Sequence, residues 1–297
     1  MEEKGLLIEK YNIEKALAFY NINIDDYKDK CYKCLDDINK NNELKNKINQ
    51  VLKLLYNNEN EQLELLWKEK DLSNFLGNQY NKFIHNIILL LGYKIHQENM
   101  NKYNFDTYQI LVHKNRVKEC LTSDIYNRKL EGIRLSQALW GIYFIKIRLI
   151  EVGRLQYEYC NNKKEKYIKI HIPKGDKLDH NEVINSIKDS KKEIEKYFKI
   201  KNYEYYCESW LLSKEITKLL DNNSNILKFQ KLFDITEGKN AIKDILNFVF
   251  DLQQIDSYYD LPENTSLQSR IKGLLIDGKE IYIGIGKLKD ERTKNRL

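Results

Sequence analysis

GRLQYEYC at residues 153–160 and YIKIHIPKGDKLD at residues 167–179 determine how this chain folds. Upstream of them, apolar residues recur every three or four positions, whereas inside them apolar residues alternate or form short β-rich blocks. In the second stretch the isoleucines fall on one face of a strand, and Tyr167, Lys169 and His171 fall on the other, because side chains alternate along a strand. The sequence therefore predicts a change from helices to a sheet at about residue 153.

The segment after this strand has the pattern of an anion-binding turn. The strand ends at Pro173, and the turn that follows contains Gly175. Asp179 and Glu182 have capping-box spacing, which predicts that a helix begins there. A strand, a glycine turn and a helix N-terminus together present backbone N–H groups to an anion. The same residues also fit an ordinary strand-to-helix turn.

The first half of the chain has a helical pattern throughout. No proline occurs before Pro173. Leu44, Ile48, Leu52 and Leu55 form an apolar stripe of helical spacing, and we expect essentially no β-strand before about residue 120. The predicted helices are 13–21, 24–40, 43–57, 60–71, 80–97, 104–120 and 124–151.

The second half has a mixed pattern, so the predicted fold class is α+β. Strands are predicted at 203–212, 225–233, 247–250 and 279–288, and helices at 213–220 and 265–276. Gly284 and Gly286, two apart in the last strand, indicate a bulge or a close backbone approach. We place the domain boundary at Asp124. The predicted parts are a helical domain at 1–124, a mixed domain at 125–290 and a charged tail at 291–297.

Composition and charge narrow the class of protein. The 297 residues, with 32% charged and 42% hydrophobic residues, predict a soluble globular protein of about two domains. The net charge of +6 is concentrated around residues 161–200, which suits phosphates or an acidic carrier protein, or equally a solvated helix face. The charge is low and no basic–aromatic motif occurs, so we predict no nucleic-acid partner.

Cysteine usage and hydropathy give the expected compartment. The five cysteines form no disulfide framework, and the N-terminus lacks a signal-peptide pattern, which predicts the cytoplasm. Cys31 and Cys34 have redox or zinc spacing, but no second pair or nearby histidine completes a site, so we predict no metal. The longest aliphatic run, at 87–91, is far shorter than the roughly 18 apolar residues of a membrane span, so none is predicted.

The order of motifs resembles one family of acyltransferases. This family joins a helical N-acyltransferase N-terminal domain to a GNAT-like C-terminal domain. The resemblance covers roughly residues 120 to 288. It is carried by GRLQYE at 153–158, HIP at 171–173 with Gly175, Leu178 and Asp179, Cys207, SWLL at 209–212, SNI at 224–226, Phe229, Gln230, Phe233, Leu261, Pro262, TSLQ at 265–268, Gly284 and Gly286. The family usually has Cys-His-Ser-Trp where this chain has Glu208 in second place.

The resemblance implies a GNAT-like mixed α/β domain with a central, mostly antiparallel sheet. In GNAT folds one central strand splays from its neighbour, its exposed backbone pairs with the pantetheine arm, and the following loop holds the pyrophosphate. By order of elements, 167–173 resembles that strand and 173–179 that loop. Because this loop has one glycine where the common motif has two or three, acyl-CoA and an acyl carrier protein are both candidate donors. The implied donor-binding residues are Ile172, Lys174, Gly175, Lys177 and Asp179.

Acylation of an amine by a thioester also requires a base and donors for the oxyanion and the leaving thiolate. His171 is a candidate base because imidazole titrates near neutral pH, and Glu158 is a candidate base or a residue that orients His171. Ser209 is a candidate donor. His171 also fits a structural role beneath the loop, and Glu158 an ion pair with Arg154. The candidate substrate-pocket residues are Gln156, Trp210, which also fits the core, and Gln230.

The resemblance therefore implies an N-acyltransferase. It would transfer an acyl group, with fatty acyl as a candidate, from a thioester donor to an amine of a small molecule or peptide, such as an amino acid. The apolar residues of 80–97 and 135–150 are candidates for an acyl pocket. The alternative is a catalytically silent GNAT-like module that binds an acyl group or a peptide, which Glu208 and the single-glycine loop favour.

Overall fold

The computed structural model describes residues 9–56, 83–161, 165–175 and 177–289. The chain forms two compact units, Met1–Ile150 and Glu151–Leu297. Several predictions lie outside the described residues. These are the helix at 60–71, the start of the helix at 80–97, Asp176 in the loop after the predicted strand, and the tail at 291–297.

The described part of the first unit is helical. Its helices are α1 Lys10–Phe19, α2 Tyr27–Lys40, α3 Asn42–Tyr56, α4 Ile84–Leu91, α5 Tyr93–Lys102, α6 Thr107–Tyr126 and α7 Leu135–Ile145. The expected absence of strands before residue 120 is confirmed for 9–56 and 83–120. All residues of α4 are buried, and the predicted stripe on α3 faces the same apolar core. None of the described helices has the length and apolar character needed to cross a membrane.

The predicted single helix at 124–151 is wrong. α6 continues to Tyr126, and a loop then leads to α7. The buried carboxylate of Asp124 fixes this loop by accepting hydrogen bonds from the backbone N–H and the Nε of Arg134, both at 2.9 Å. The predicted domain boundary at Asp124 thus lies inside α6. The first compact unit instead extends to Ile150, because Ile142 and Phe144 of α7 belong to its apolar core.

The second unit is built around a mixed sheet. Its strands are β1 Leu149–Val152, which begins at the end of the first unit, β2 Leu155–Asn161, β3 Lys166–His171, β4 Glu204–Ser209, β5 Phe233–Asn240 and β6 Tyr282–Leu288. Its helices are α8 His180–Phe198, α9 Lys214–Thr217, α10 Asn225–Gln230, α11 Ile242–Val249 and α12 Ser266–Ile276. The strand order is β1-β2-β3-β4-β6-β5. β3 pairs with β4 in parallel, whereas β2–β3, β4–β6 and β5–β6 are antiparallel. The predicted α+β class with a mostly antiparallel sheet is confirmed.

Two predicted strands are helices. The segment predicted as a strand at 225–233 forms α10, which begins where Ser224 Oγ accepts a hydrogen bond from the N–H of Ile226 at 3.2 Å. The segment at 247–250 is mostly part of α11. Its apolar residues continue a stripe at 242, 245, 246 and 249, which is helical spacing rather than strand alternation. Short apolar runs are ambiguous between the two structures, and the longer stripe decides here.

Helix α8 packs on one face of the sheet. The hydroxyl of Tyr157 on β2 lies 2.8 Å from Ser186 Oγ, and the hydroxyl of Tyr205 on β4 lies 2.7 Å from Ser190 Oγ. Because side chains alternate along strands, His171 is on the opposite face. The predicted separation of the isoleucines of β3 from its polar side chains is confirmed, since Ile168 and Ile170 are fully buried.

The glycines of β6 allow the chain after β4 to lie directly against the sheet. A Cβ on Gly284 would collide with the carbonyl group of Leu212, and a Cβ on Gly286 would lie 2.8 Å from the Cβ of Phe233. The prediction of a close approach at these glycines is confirmed. A backbone carbonyl cannot rotate away as a side chain can, so Gly284 is the stricter requirement.

Gly284→Ala should therefore destabilise the protein by about 2 kcal/mol or more, the size of an overpacked core substitution. Gly273→Ala is the matched control, because a Cβ on Gly273 in α12 would meet no heavy atom within 4 Å. That control should be neutral or stabilising by up to about 1 kcal/mol. Thermal and denaturant unfolding of both variants measure this. Equal stability of Gly284→Ala and the wild type would contradict the close approach.

Candidate active site

The parallel pairing of β3 with β4 at the centre of the sheet is short. Their parallel register ends where Ile170 lies opposite Cys207. Beyond that pair His171 lies opposite Gln156 of β2, whereas β4 continues its pairing with β6 as far as Ser209. The pairing of the two central strands thus ends before β4 does, and we call the place beyond Ile170 and Cys207 the gap between β3 and β4. An extended molecule can hydrogen-bond to strand backbone at such a gap.

His171 lies at this gap and is hydrogen-bonded to Glu158. The distance from His171 Nε2 to Glu158 Oε2 is 2.7 Å. Glu158 lies opposite Lys169, so its side chain is the diagonal neighbour of His171 on one face. The glutamate side chain is 6% exposed and the histidine side chain 21%. A buried carboxylate at one ring nitrogen fixes the ring and favours the tautomer that carries its proton there. The pair has the arrangement of an oriented general base.

Lys169 lies between two carboxylates. Its Nζ is 2.9 Å from Glu208 Oε2, and Glu158 is its partner on β2. Burial alone would lower the pKa of Lys169, but the hydrogen bond to Glu208 and the charges of both glutamates raise it. The same hydrogen bond holds the pKa of Glu208 below its usual range. Negative, positive and negative charges therefore follow one another across β2, β3 and β4.

Arg154 holds the loop after β3. Its Nη1 donates to the carbonyl of Pro173 and its Nε to the carbonyl of Lys177, both at 3.1 Å. Gly175, between them, has a φ of +131°, which favours glycine. A Cβ at Gly175 would meet no heavy atom within 4 Å, so the turn is open to an approaching group. Arg154 thus orients the peptide groups of the loop.

Helix α8 begins directly after this loop, as predicted. The carboxylate of Asp179 caps it by accepting from the N–H groups of Asn181 at 2.9 Å and Glu182 at 3.2 Å. The exposed side chain of Lys174 bonds to Asp251, with Nζ 2.6 and 2.9 Å from the two carboxylate oxygens. Ile172 is half-buried. The five predicted donor-binding residues therefore lie on one loop and helix start, although the side chain of Asp179 is engaged as a cap.

The structure does not bring Ser209 together with His171. Because side chains alternate along β4, Glu208 lies on the face of His171 and Ser209 on the other. Ser209 Oγ accepts a hydrogen bond from the N–H of Leu211 at 3.1 Å and so begins a short 3-10 turn. The indole of Trp210 in that turn packs against the apolar cluster of α11 and α12. Both residues thus have structural roles at the end of β4.

The two predicted glutamines have different surroundings. Gln156 is buried beside His171, and its Nε2 donates to Glu151 Oε2 at 2.7 Å. Gln230 on α10 donates to the carbonyl of Leu211 at 2.7 Å and accepts from Thr217 Oγ1 at 2.8 Å. Gln156 therefore belongs to the face of the candidate base, whereas Gln230 ties α9 and α10 to the 3-10 turn.

Sequence reasoning missed the roles of Lys169, Arg154 and Glu151. Strand alternation predicted that Lys169 lies on the same face as His171, but it did not predict what Lys169 contacts. Its partner Glu208 lies on a strand that the chain reaches only after α8. Register between strands so far apart in sequence is not contained in a local pattern.

Metal binding has no support in the part of the chain that the structure describes. No group of three or more His, Cys, Asp or Glu residues in the described ranges is placed to hold an ion. Cys31 and Cys34 are buried and unlinked in α2. Burial raises the pKa of both thiols, to about 12 for Cys34, so both stay protonated and are poor metal ligands.

The second unit matches the model of a known domain. The model of the GNAT-like C-terminal domain family matches residues 149–288, which span β1 to β6. The predicted GNAT-like C-terminal domain is confirmed by this match. No curated protein matches the sequence.

Solved structures share the fold at low sequence identity. A mutant acyltransferase in complex with octanoyl-CoA has a TM-score of 0.73 and 16% identity, covering 94% of this chain and 88% of that chain. An acyltransferase in complex with decanoyl-CoA has a TM-score of 0.63 and 18% identity, covering 70% of this chain and 66% of that chain, just under two thirds of its length. An acyltransferase in complex with decanoyl-CoA and teicoplanin has a TM-score of 0.62 and 19% identity, covering 70% and 67%.

Loss of the Arg154 guanidinium should loosen the loop. Arg154→Met removes two charge-assisted hydrogen bonds, so amide hydrogen exchange at Lys174, Gly175 and Lys177 should become about fivefold faster or more. Lys174→Met is the control, since an exposed ion pair such as Lys174–Asp251 contributes little. Unchanged exchange in Arg154→Met would show that other contacts hold the loop.

Proposed function

We propose that this protein is an N-acyltransferase that transfers a fatty acyl group from acyl-CoA to an amine of a small molecule or peptide. The observation that carries the proposal is the His171–Glu158 pair at the gap between β3 and β4. The gap leads to the open turn at Gly175 and to the start of α8. The candidate base, the end of β3 and the candidate anion site thus follow one another along the chain.

The donor would lie along β3. The amides of a pantetheine arm can pair with its backbone beyond Ile170, where β4 no longer does. The phosphates would lie at Gly175 and the N-terminus of α8, with positive charge from Lys174 and Lys177. The solved structures of similar fold hold octanoyl-CoA or decanoyl-CoA. This supports acyl-CoA, rather than an acyl carrier protein, as the donor, and it supports an acyl chain of medium length.

The transfer would be direct. With the Nε2 proton directed to Glu158, His171 would accept the ammonium proton of the acceptor at Nδ1. The freed amine attacks the thioester carbonyl, a C–N bond forms, the C–S bond breaks, and the coenzyme A thiolate leaves with a proton. Ser209 and Cys207 face the other side of the sheet, which supports direct attack over an acyl-enzyme route.

The acceptor would enter as an ammonium ion, which suits an amino acid or a peptide amine. Glu208 lies on the face of His171 with 34% of its side chain exposed, so a carboxylate is accessible beside the base. One structure of similar fold holds teicoplanin together with decanoyl-CoA, which supports a site for a second molecule beside the donor. None of the five cysteines forms a disulfide, which supports the cytoplasm as the compartment.

Donor binding should stabilise the protein. Coenzyme A and decanoyl-CoA at about 100 times their Kd should add about 2.7 kcal/mol and raise the Tm by several degrees. Gly175→Val should abolish this rise, because its side chain would occupy the open turn. Gly278→Val is the matched control, since Gly278 also has a positive φ, at +69°, and open surroundings. A full rise in Gly175→Val would place the donor elsewhere, and stabilisation by an acyl carrier protein alone would replace acyl-CoA as donor.

His171→Ala should lower turnover about a hundredfold or more, the usual contribution of a general base. The assay follows thiol release and product mass with octanoyl-CoA or decanoyl-CoA and a panel of amines. The wild-type rate should fall at acid pH as imidazole is protonated, and the variant should lose that dependence. Donor stabilisation should persist, because backbone holds the donor. Wild-type turnover in His171→Ala would remove it from catalysis, and binding without any turnover in the wild type would favour the silent binding module.

A further inference from the structure

We propose that Lys169 and Glu208 form a positioning pair, which keeps the Glu158 carboxylate directed at His171 and balances the charge around the imidazole. The inference rests on the proposed function, in which His171 is the base. It assigns a role to Lys169 and Glu208, two residues that the proposed reaction does not use directly. The pair connects the two central strands near the end of their pairing.

The geometry places Lys169 where it acts on both carboxylates. It lies directly opposite Glu158 in the antiparallel register of β2 and β3. Its Nζ reaches across the other edge of β3 to Glu208 on β4 at 2.9 Å. The side chains of Lys169 and Glu208 are 27% and 34% exposed, against 6% for Glu158. The Lys169–Glu208 ion pair is therefore partly exposed to solvent and lies beside the more buried Glu158–His171 pair.

The charge balance explains why such a pair would matter. Glu158 is bonded to His171, and the charge of His171 also acts on Glu208, so two anions lie near one ring. Anions stabilise imidazolium, which has no lone pair with which to accept a proton. The Lys169 ammonium compensates one of the two anions. Without it, that anion would act on the ring without this compensating charge.

Other polar groups face this cluster from neighbouring elements. Asp244 on α11 lies near Glu208, and its pKa is raised by burial, although the charge of Lys239 lowers it. Gln156, the partner of His171 on β2, is bonded to Glu151 of β1. These groups form a constant background when position 169 or 208 is changed. Asp244→Asn is therefore a control for a change of nearby charge outside the pair.

The test is an NMR titration of the histidine rings. The chain has five histidines, so the His171 signal can be identified by its loss in His171→Ala. Lys169→Met removes the cation between the two anions, so the His171 midpoint should move to higher pH by about 0.5 to 1 unit. Glu208→Gln leaves an extra cation, so the midpoint should move to lower pH by a similar amount. Lys169→Met/Glu208→Gln should return it to within about 0.3 unit of the wild type.

The acid limb of the pH–rate profile should move to higher pH in Lys169→Met and to lower pH in Glu208→Gln. Asp244→Asn should shift the midpoint less than Glu208→Gln, and high salt should reduce every shift. A merely structural ion pair would lower the Tm without moving the midpoint in opposite directions. Unchanged midpoints, or shifts of one sign in both single variants, would overturn the inference. Full turnover in His171→Ala would instead defeat the proposed function and leave the titration result standing.

Discussion

The parallel pairing of β3 with β4 is the constraint from which the geometry of the second unit follows. A parallel neighbour cannot be reached by a tight turn, so the chain must cross over one face of the sheet. Helix α8 makes that crossover and covers the face of Tyr157 and Tyr205. His171 is thereby left on the opposite face, and a short loop leads from the end of β3 to the N-terminus of α8. The end of the pairing at Ile170 and Cys207 then provides the gap.

Burial of Glu158 links the stability of this unit to its chemistry. An ionised carboxylate with 6% exposure is costly unless nearby groups replace its hydration. His171 does so by a hydrogen bond of 2.7 Å, and Lys169 does so by its charge on the neighbouring strand. The same contacts that make the buried glutamate tolerable also orient the imidazole. Stability and reactivity are therefore coupled at this point of the sheet.

The local parts of the site could be read from the sequence, and the non-local parts could not. Alternation placed His171 opposite to the isoleucines, and the capping residue Asp179 marked the start of α8. The contact of Lys169 with Glu208 spans 39 positions and depends on the path of α8. Ser209 was chosen as a donor from its motif, but one step of alternation along β4 puts it on the other face.

A crystal structure with a thioether analogue of decanoyl-CoA would show whether the gap between β3 and β4 is the donor site. The pantetheine amides should hydrogen-bond to the backbone of β3 beyond Ile170. The pyrophosphate should lie at Gly175 and the start of α8, and the carbon that replaces the thioester carbonyl should be on the face of His171. An analogue bound on the face covered by α8, or away from the gap, would contradict the assignment of this site.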